Sequence, residues 1–516
     1  MIPFHRILPS SWLVLISLVF VAGCGGGDGG PSQEPVAPAP IASSSDVAMR
    51  GTQQGVTPFI HFVRLQGASL AKASRIQYTI AQKEGAASKP VHVSYTYNYL
   101  LEHGYLLPEA GSATIPIFGL YANYDNVIEV EIVFSDDSVQ AIPVSVRTAA
   151  YNGHLGLYSS PRIYVRRAPG QQIGFDYFYV KSAAGSPVVI DTDGELRWAA
   201  VVPTSNSQSS VFNDGNIIIG DRGSKKFWRL GLDGVFSEAK VLSESYANFH
   251  HNIDVGKYGY LAEVDVMRGS LLYQESTVAE IAESGHVLKE WDLSAIISDY
   301  MREHGDDFSL FARNEVDWFH VNASAYDASD NSIVVSSREN FIIKIDYDSG
   351  RPIWILGDPT KYWYQFPSLR ALALSVGNGG HYPVGQHAIS VPQGGRLMLF
   401  NNGAPSFNTP AGAPVGESRS YSLVSTYRID KDRRSATEEV AFDYGRSILS
   451  DICSSAYGVA SGSMLISYAT AENRTKARLV GLDDNGKVVF DFEYVSSPCQ
   501  VSWNAVPIDF DRMTFK

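Results

Sequence analysis

The chain has 516 residues, of which 45% are hydrophobic and 18% charged, with 45 glycines and 28 tyrosines, a composition that favours a globular β-rich protein over disordered or coiled-coil classes. This length is about three times that of a typical domain, so several domains, or one repeat architecture with an added domain, are expected. The net charge of -13, without lysine or arginine clusters, excludes nucleic acid as an expected partner.

Residues 1–23 have the features of a lipoprotein signal peptide. Two basic side chains, His5 and Arg6, precede an apolar run over 12–22 that is too short to span a bilayer. Residues 21–24 resemble a bacterial lipobox, in which Cys24 becomes the lipidated first residue; an ordinary cleaved signal with a chance cysteine is the alternative. Residues 24–50 then form a flexible tether. We therefore expect a lipid anchor at Cys24 on the periplasmic face of the cell envelope, with Gly25 favouring the outer membrane by the same resemblance.

Residues 51–150 show the pattern of a small all-β domain. Apolar and polar residues alternate over short runs such as 91–97 and 128–134, as they do in half-buried strands. A polar turn at 135–138 separates two such runs, and no helical periodicity interrupts them. The pattern predicts an N-terminal β-sandwich.

Residues 151–516 repeat a hairpin pattern, in which an apolar strand, an Asp/Gly turn and a second strand follow one another. A further apolar strand precedes the hairpin in four of the repeats, at 216–220, 332–336, 396–400 and 463–467. Strands joined by hairpins in tandem repeats are typical of propeller blades, so the pattern predicts a six-bladed β-propeller. The six hairpins lie at 189–198, 228–234, 281–288, 344–354, 427–432 and 481–490.

Two insertions interrupt the repeats, at 291–317 and 359–381. Insertions of this size usually cover one face of the repeated fold. Within the first, residues 293–302 have helical composition and form the only helix that we predict. Near the C-terminus, Cys453 and Cys499 belong to the last repeat of an exported protein, which allows either a disulfide or two free thiols.

Three histidines occupy equivalent places in three repeats, each just before an inner apolar strand. Because equivalent positions in a closed propeller face one axis, His251, His320 and His387 should converge. Such a cluster suits either a metal ion or a nucleophile with its electrostatic partners. Arg338 ends a neighbouring apolar strand, and a guanidinium repels a metal ion but pairs with a tetrahedral oxyanion. We therefore favour anion chemistry without a metal.

Several motifs around these residues resemble the bacterial periplasmic arylsulfate sulfotransferases. The segments at 317–322 (DWFHVN), 336–338 (SSR) and 354–357 (WILG) match in order and spacing, and so do those at 250–254 (HHNID) and 386–387 (QH). The resemblance also covers 118–124 in the N-terminal domain. It implies a β-sandwich followed by a six-bladed propeller with the active site on its axis, and a homodimer as one possible assembly.

The resemblance also implies roles for individual residues. His387 matches the histidine that is transiently sulfurylated, while His251, His320, Asn322 and Arg338 match groups that surround the sulfuryl oxygens. Neutral imidazole at His387 would attack sulfur and expel a phenoxide, and a second phenol would then take the sulfuryl group in a ping-pong route that needs no cofactor. An aryl sulfate donor and a phenol acceptor are thus the expected partners.

Some assignments stay open at this point. Either His251 or His320 could protonate the leaving phenoxide, and either His250 or His251 could face the site, with His251 favoured by superposition of the strands. Ser454 takes the equivalent position in the last repeat, so His250 and Ser454 are expected to contact substrate. Cys453 precedes Ser454, and could line the channel as a thiol instead of pairing with Cys499. The close-spaced cysteine pair of some family members is absent.

Two other functions are compatible with the sequence. A histidine-bound metal hydrolase or oxidoreductase would use the same cluster of imidazoles. A lipid-anchored propeller that only scaffolds envelope assemblies would use none of it.

Overall fold

The computed structural model describes residues 45–516 apart from 203, 205, 223, 242, 378, 393 and 394. The predicted signal peptide, the lipid anchor at Cys24 and the tether up to residue 44 lie outside the described residues. Within the described part of the chain, no helix is both long and apolar enough to cross a membrane.

The N-terminal domain is a sandwich of two antiparallel sheets. One sheet has the order β1-β2-β6-β5, and the other contains β4-β3-β7-β8. Alternate residues of β7 point into the shared core, as the sequence pattern predicts. The strands are β1 (Ala48–Gln54), β2 (Ile60–Gln66), β3 (Ala73–Ile80), β4 (Val91–Thr96), β5 (Leu106–Leu107), β6 (Ser112–Phe118), β7 (Asp125–Phe134) and β8 (Val139–Arg147).

Two details of this domain differ from the sequence prediction. Strand β1 begins three residues before the expected domain start, so 48–50 belong to the sheet and not to the tether; its residues are nearly all exposed and carry no alternating apolar pattern. The run at 91–97 ends one residue early, because the Thr96 hydroxyl accepts a hydrogen bond from the Tyr99 amide and caps helix α1 (Tyr97–Glu102). The prediction of a single helix is therefore wrong.

The second domain is built almost entirely of strands. Its first half contains β9 (Arg162–Val165), β10 (Tyr177–Lys181), β11 (Val188–Asp191), β12 (Leu196–Ala199), β13 (Ser210–Asn213), β14 (Asn216–Gly220), β15 (Lys226–Gly231), β16 (Phe236–Lys240), β17 (Tyr246–Val255), β18 (Tyr260–Arg268), β19 (Leu271–Ile281) and β20 (Val287–Asp292). Its second half contains β21 (Val321–Asp327), β22 (Ser332–Ser337), β23 (Ile342–Asp346), β24 (Pro352–Leu356), β25 (Ser375–Val376), β26 (His387–Ser390), β27 (Arg396–Asn401), β28 (Leu423–Asp430), β29 (Ser435–Phe442), β30 (Ser455–Gly458), β31 (Met464–Thr470), β32 (Lys476–Leu482), β33 (Val488–Val495), β34 (Asn504–Ile508) and β35 (Arg512–Phe515).

Strands β9 to β34 form six sheets of four or five strands, and each predicted hairpin lies in one of them. The sheets begin, in ring order, with β34, β13, β17, β21, β26 and β30, and successive first strands contact one another from β13 onward to β34. The Tyr179 and Ser210 hydroxyls, 2.6 Å apart, link the first sheet to the second. The C-terminal strand β34 thus completes the first sheet beside β10, and the fold is a β-propeller.

The two insertions contain two of the α-helices and two of the 3-10 helices, and the other described helices lie elsewhere in the chain. Helix α2 (Leu293–Glu303) confirms the helix expected at 293–302, and the Asp292 carboxylate caps it by accepting the Ala295 amide. Short helices α3 (Pro367–Arg370) and α4 (Ala471–Arg474) were not predicted. Six single-turn 3-10 helices lie at Ala68–Lys72, Pro108–Ala110, His154–Gly156, Phe308–Leu310, Tyr362–Gln365 and Tyr444–Arg446.

The two domains share one hydrophobic core. Buried residues of the sandwich pack in the same cluster as residues of the first two propeller sheets, including Tyr177, Trp198 and Trp228. Strand β35 leaves the propeller and pairs in parallel with β4, so the last residues do not belong to the propeller as predicted. The sandwich therefore braces the sheets on one side of the ring.

Candidate active site

The four predicted site histidines lie at the first strands of three successive sheets. His250 and His251 belong to β17, His320 immediately precedes β21, and His387 begins β26. The rings of His251 and His320 lie 4.6 Å apart, centroid to centroid. His387 is close enough for its charged form to lower the pKa of His251. The structure therefore brings the histidines of three repeats together.

Irregular backbone presents these side chains. The ladder shifts register after His250 in β17, at Asn322 in β21 and after His387 in β26, so each first strand has a bulge at the site. His251 and His320 have positive φ angles of 53° and 55°, a conformation that is uncommon for residues other than glycine. Bulges and left-handed residues redirect side chains and occur often beside active sites.

His387 is held in one tautomer by two acceptors. Its Nδ1 lies 3.0 Å from the Gly385 carbonyl oxygen and 2.9 Å from Asn402 Oδ1. The Asn402 amide is oriented by its NH₂ group, which donates to the carbonyls of Ser450 and Cys453. Nδ1 must therefore carry the proton, and Nε2 keeps its lone pair. Burial, with the positive charge of Arg338 as a further cause, lowers the pKa of His387 to about 3.

His320 has the opposite electrostatic environment. Its Nδ1 lies 2.7 Å from Glu275 Oε2 and 2.5 Å from Asp317 Oδ2. Burial opposes the charged form, but the charge of Glu275 and the hydrogen bonds of both carboxylates outweigh it and raise the pKa of His320 to about 9. At neutral pH this imidazole is protonated on both nitrogens, and Nε2 is a proton donor.

His250 and His251 form a pair in which only one member contacts His320. Their Nδ1 atoms lie 2.8 Å apart, His250 Nε2 lies 3.3 Å from Asp265 Oδ1, and the His251 ring packs against the His320 ring. Burial, followed by the charge of His320, lowers the pKa of His251 well below its ordinary value. His251 is therefore the neutral neighbour of His320, while His250 supports it from behind.

One edge of the Arg338 guanidinium has no hydrogen-bond partner among the described residues. Only 4% of the residue is exposed, and its Nη2 donates to the Glu339 carboxylate. Its Nε and Nη1 are buried and have no hydrogen-bond partner among the described residues. Leaving such donors unpaired costs about 1–3 kcal/mol or more. An anion bound at this edge would remove that cost, and a sulfuryl group offers oxygens in the right geometry.

Asn322 fixes the backbone next to His387. Its Nδ2 donates to the Gln386 carbonyl at 2.7 Å, and Gln386 Nε2 donates to the Ser337 carbonyl at 2.7 Å. These bonds join β22, which ends just before Arg338, to β26, which begins at His387. Asn322 Oδ1 is buried and has no partner among the described residues, so it remains an acceptor within the site.

Ser454 lies in the sixth sheet with its hydroxyl already engaged. Its Oγ lies 2.8 Å from Ser450 Oγ and accepts the Ala469 amide at 3.1 Å. The adjacent Cys453 forms a disulfide with Cys499 across 46 residues of chain. In the chain-entropy model, closure of such a loop stabilises the fold by about 4 kcal/mol. The Cys453 carbonyl supports Asn402, so this region positions His387 indirectly.

Four functional candidates were missed by sequence reasoning. Asp317 lies three residues before His320, a spacing that could have revealed it. Asn402 could have been found only as a polar residue just after β27. Glu275, which contacts His320, lies in the part of β19 where the ladder with β18 shifts register, between the pairs Val264–Thr277 and Val266–Tyr273. The Trp503 ring packs 5.3 Å from His251, although the two residues are far apart in the sequence. Neither of these two contacts has a local sequence pattern.

Two overlapping groups of side chains could hold a metal ion. Each group offers three ligand atoms within 4.8 Å of one another. Glu275 belongs to both, and each also includes at least one of the site histidines. The groups are His250, His251 and Glu275, and Glu275, Asp317 and His320.

Comparison with known proteins places both domains in one family. Residues 162–504 match the family model described as Arylsulfotransferase (ASST), and residues 63–149 match the Arylsulfotransferase Ig-like domain. A solved β-propeller domain, Cps50 (Swd1) of Myceliophteria thermophila, covers 64% of this chain and 86% of its own, at 11% identity and a TM-score of 0.36, which is too low to support an argument.

Two named relatives are similar over long stretches. The arylsulfate sulfotransferase AssT of Lelliottia amnigena is 24% identical over 442 residues, which span 64% of this chain and 71% of that protein. The arylsulfate sulfotransferase AssT of Escherichia coli O6:H1 is 23% identical over 326 residues, 50% of this chain and 52% of that protein. Together with the family models, these matches show that the chain belongs to the arylsulfotransferase family and is a sulfuryl-transferring enzyme.

Proposed function

We propose that this protein moves a sulfuryl group from an aryl sulfate ester to a phenol in two steps, through N-sulfo-histidine at His387. The observation that carries the proposal is that side chains of opposite roles lie together. His387 is neutral with its proton on Nδ1, and His320 is protonated. The Nε and Nη1 donors of Arg338 have no hydrogen-bond partner among the described residues.

In the first step, the lone pair of His387 Nε2 attacks sulfur and the bond from sulfur to the ester oxygen breaks. The leaving phenoxide takes the Nε2 proton of His320, so a neutral phenol departs. Three sulfuryl oxygens spread charge in the transition state, and the Nε and Nη1 groups of Arg338 compensate it. Loss of one such donor typically costs about 3 kcal/mol in the barrier.

The second step returns His320 and His387 to their starting states. An acceptor phenol attacks the sulfur of N-sulfo-His387, and neutral His320 takes the phenol proton. The bond between nitrogen and sulfur breaks, and its electron pair returns to Nε2. The proton balance closes within the site, so the proposed route requires neither water nor an external base.

Turnover with a chromogenic donor tests this proposal. The protein mixed with 4-nitrophenyl sulfate and phenol should release 4-nitrophenol and form phenyl sulfate in equal amounts, and His387→Asn should abolish both. Chelator treatment should leave the rate unchanged. Release of inorganic sulfate in place of phenyl sulfate, or full activity of His387→Asn, would contradict the transfer route.

A metal-dependent hydrolase is a second candidate, favoured by the two carboxylate and imidazole groups around Glu275. The proximity of Arg338 opposes it, because its positive charge lowers the pKa of His251 and would repel a cation there. Bound zinc, copper or iron in the purified protein, with activity lost on chelation, would support this candidate. A scaffold without activity predicts no turnover at all.

We also propose that a lipid on Cys24 anchors the enzyme to the periplasmic face of the outer membrane. The proposed assembly is a homodimer. Cys24→Ser should release the protein from the membrane fraction without changing its turnover. Sedimentation equilibrium of the released protein tests the dimer. Release of the unaltered protein by salt alone would contradict a lipid anchor.

A further inference from the structure

Phe407 presents an open aromatic ring beside the cationic edge of the site. The residue lies on the loop between β27 and β28 and is 53% exposed. Its ring centroid lies 4.1 Å from the guanidinium carbon of Arg338, so one face of the ring covers the guanidinium. A single exposed apolar side chain is ordinary, and the contact with Arg338 alone would not assign it a role.

The loop that carries this ring is held firmly. One oxygen of the Glu339 carboxylate accepts the backbone amides of Phe407 at 2.7 Å and Asn408 at 2.8 Å. Ser406 donates to the Glu339 carbonyl, and Asn408 Nδ2 donates to the Asp317 carbonyl at 2.9 Å. The ring is therefore positioned before any ligand arrives, which reduces the entropy that binding must cost.

The same carboxylate positions the anion-binding edge. The other oxygen of Glu339 accepts from Arg338, while Lys361 Nζ donates to the carbonyls of Arg338 at 3.2 Å and Glu339 at 3.0 Å. Glu339 thus couples the ring and the guanidinium into one unit. An ester whose sulfuryl oxygens pair with Nε and Nη1 would carry its own ring only one bridging oxygen from sulfur, and the Phe407 ring covers the same guanidinium.

We propose that Phe407 is the surface on which the aromatic rings of the donor ester and the acceptor phenol pack in turn, and that it gives the site its preference for aryl substrates. This inference rests on the proposed function, because both rings flank the same sulfur in the two steps. Aromatic pairs contribute about 0.5–1.5 kcal/mol beyond burial. The contact should therefore be worth about 2- to 12-fold in kcat/KM.

Steady-state kinetics of Phe407→Ala test the proposal. We expect kcat/KM to fall about 2- to 12-fold for both 4-nitrophenyl sulfate and phenol, with activity restored in Phe407→Trp. The inhibition constant of inorganic sulfate, which has no ring, should stay within about twofold. Phe236→Ala removes a ring of similar exposure, 47%, from the outer strand β16 and should change neither value. Unchanged kcat/KM in Phe407→Ala would overturn the proposal. A loss of sulfate affinity as large as the loss of kcat/KM would also overturn it, because Phe407 would then act only by supporting Arg338.

A measurement of ligand binding in the absence of turnover tests this inference independently of the proposed function. Calorimetry on His387→Asn and on the double variant with Phe407→Ala should show weaker binding of 4-nitrophenyl sulfate in the double variant and equal binding of inorganic sulfate. If the unaltered protein transfers no sulfuryl group but this difference appears, the aryl surface stands and the transfer route fails. If transfer occurs and the difference is absent, only the aryl surface fails.

Discussion

His320 and His387 begin equivalent strands of neighbouring sheets, yet their surroundings give them opposite chemistry. Two carboxylates, Glu275 and Asp317, raise the pKa of His320 to about 9. Burial, followed by the positive charge of Arg338, lowers the pKa of His387 to about 3, although its hydrogen bonds with Asn402 and Gly385 act in the opposite direction. The difference teaches that the repeat supplies the position of each imidazole, while residues from outside the repeat pattern supply its protonation state.

The first test of this difference between the two histidines replaces His320, the proposed acid. His320→Gln keeps a polar side chain but has no proton to give to the leaving phenoxide, so kcat/KM for phenyl sulfate should fall about 10²- to 10⁴-fold. The loss should be much smaller for 4-nitrophenyl sulfate, whose leaving group needs little protonation. His381→Gln breaks a histidine and carboxylate pair in the second insertion and serves as the control. Equal losses for both esters would remove His320 from the role of acid.

The second test removes the positive charge of Arg338, which lowers the pKa of both histidines. Arg338→Met should lower kcat about 10²- to 10³-fold, because two donors to the sulfuryl oxygens disappear. Arg396→Met changes an exposed arginine of β27 and should leave kcat unchanged. Steady-state rates with 4-nitrophenyl sulfate measure both variants. A loss below about threefold in Arg338→Met would show that the sulfuryl group binds elsewhere.

The third test loosens His387 without removing it. Asn402→Ala deletes the side-chain acceptor of the Nδ1 proton and leaves only the Gly385 carbonyl. One buried hydrogen bond contributes about 1–1.5 kcal/mol, so the rate of histidine sulfurylation should fall about tenfold. Single-turnover kinetics without acceptor isolate this step. An unchanged rate would mean that Gly385 alone sets the tautomer.

The smallest effect at neutral pH is expected for Glu275→Gln. His320 works as an acid only while protonated, so kcat/KM for phenyl sulfate should hold below its pKa of about 9 and fall as pH rises through that value. Loss of the Glu275 charge lowers this pKa, and the fall should begin at lower pH. The pH profile of kcat/KM measures the shift. A profile identical to that of the unaltered protein would show that Asp317 alone holds the proton.

Much of the fold and part of the site could be predicted because they follow from periodicity. The six hairpins repeat an apolar strand with an Asp/Gly turn, and a closed ring of such repeats directs His251, His320 and His387 to one axis. Strand β1 was missed because it carries no alternating apolar pattern. Strand β35 alternates over only four residues, and nothing in those residues indicates that they pair with β4 of the other domain.

The residues that set the protonation states of His320 and His387 could not be predicted from the sequence. Glu275 contacts His320 from the register shift between β18 and β19, and Asn402 contacts His387 beside the bulge between β26 and β27. Both contacts depend on three-dimensional register and not on local sequence. The hydrogen bond from Asn322 to the Gln386 carbonyl likewise had no sequence signal, and the role of Asn322 at the sulfuryl oxygens stays a prediction.

Rapid-quench labelling tests the central claim most directly. The protein would be mixed with an excess of 4-nitrophenyl sulfate without acceptor, quenched at alkaline pH and digested, and the peptides analysed by mass spectrometry. The account predicts one sulfuryl group per chain, located on His387 and absent from His251 and His320. A label on another histidine, or 4-nitrophenol release without any protein-bound sulfuryl group, would contradict it.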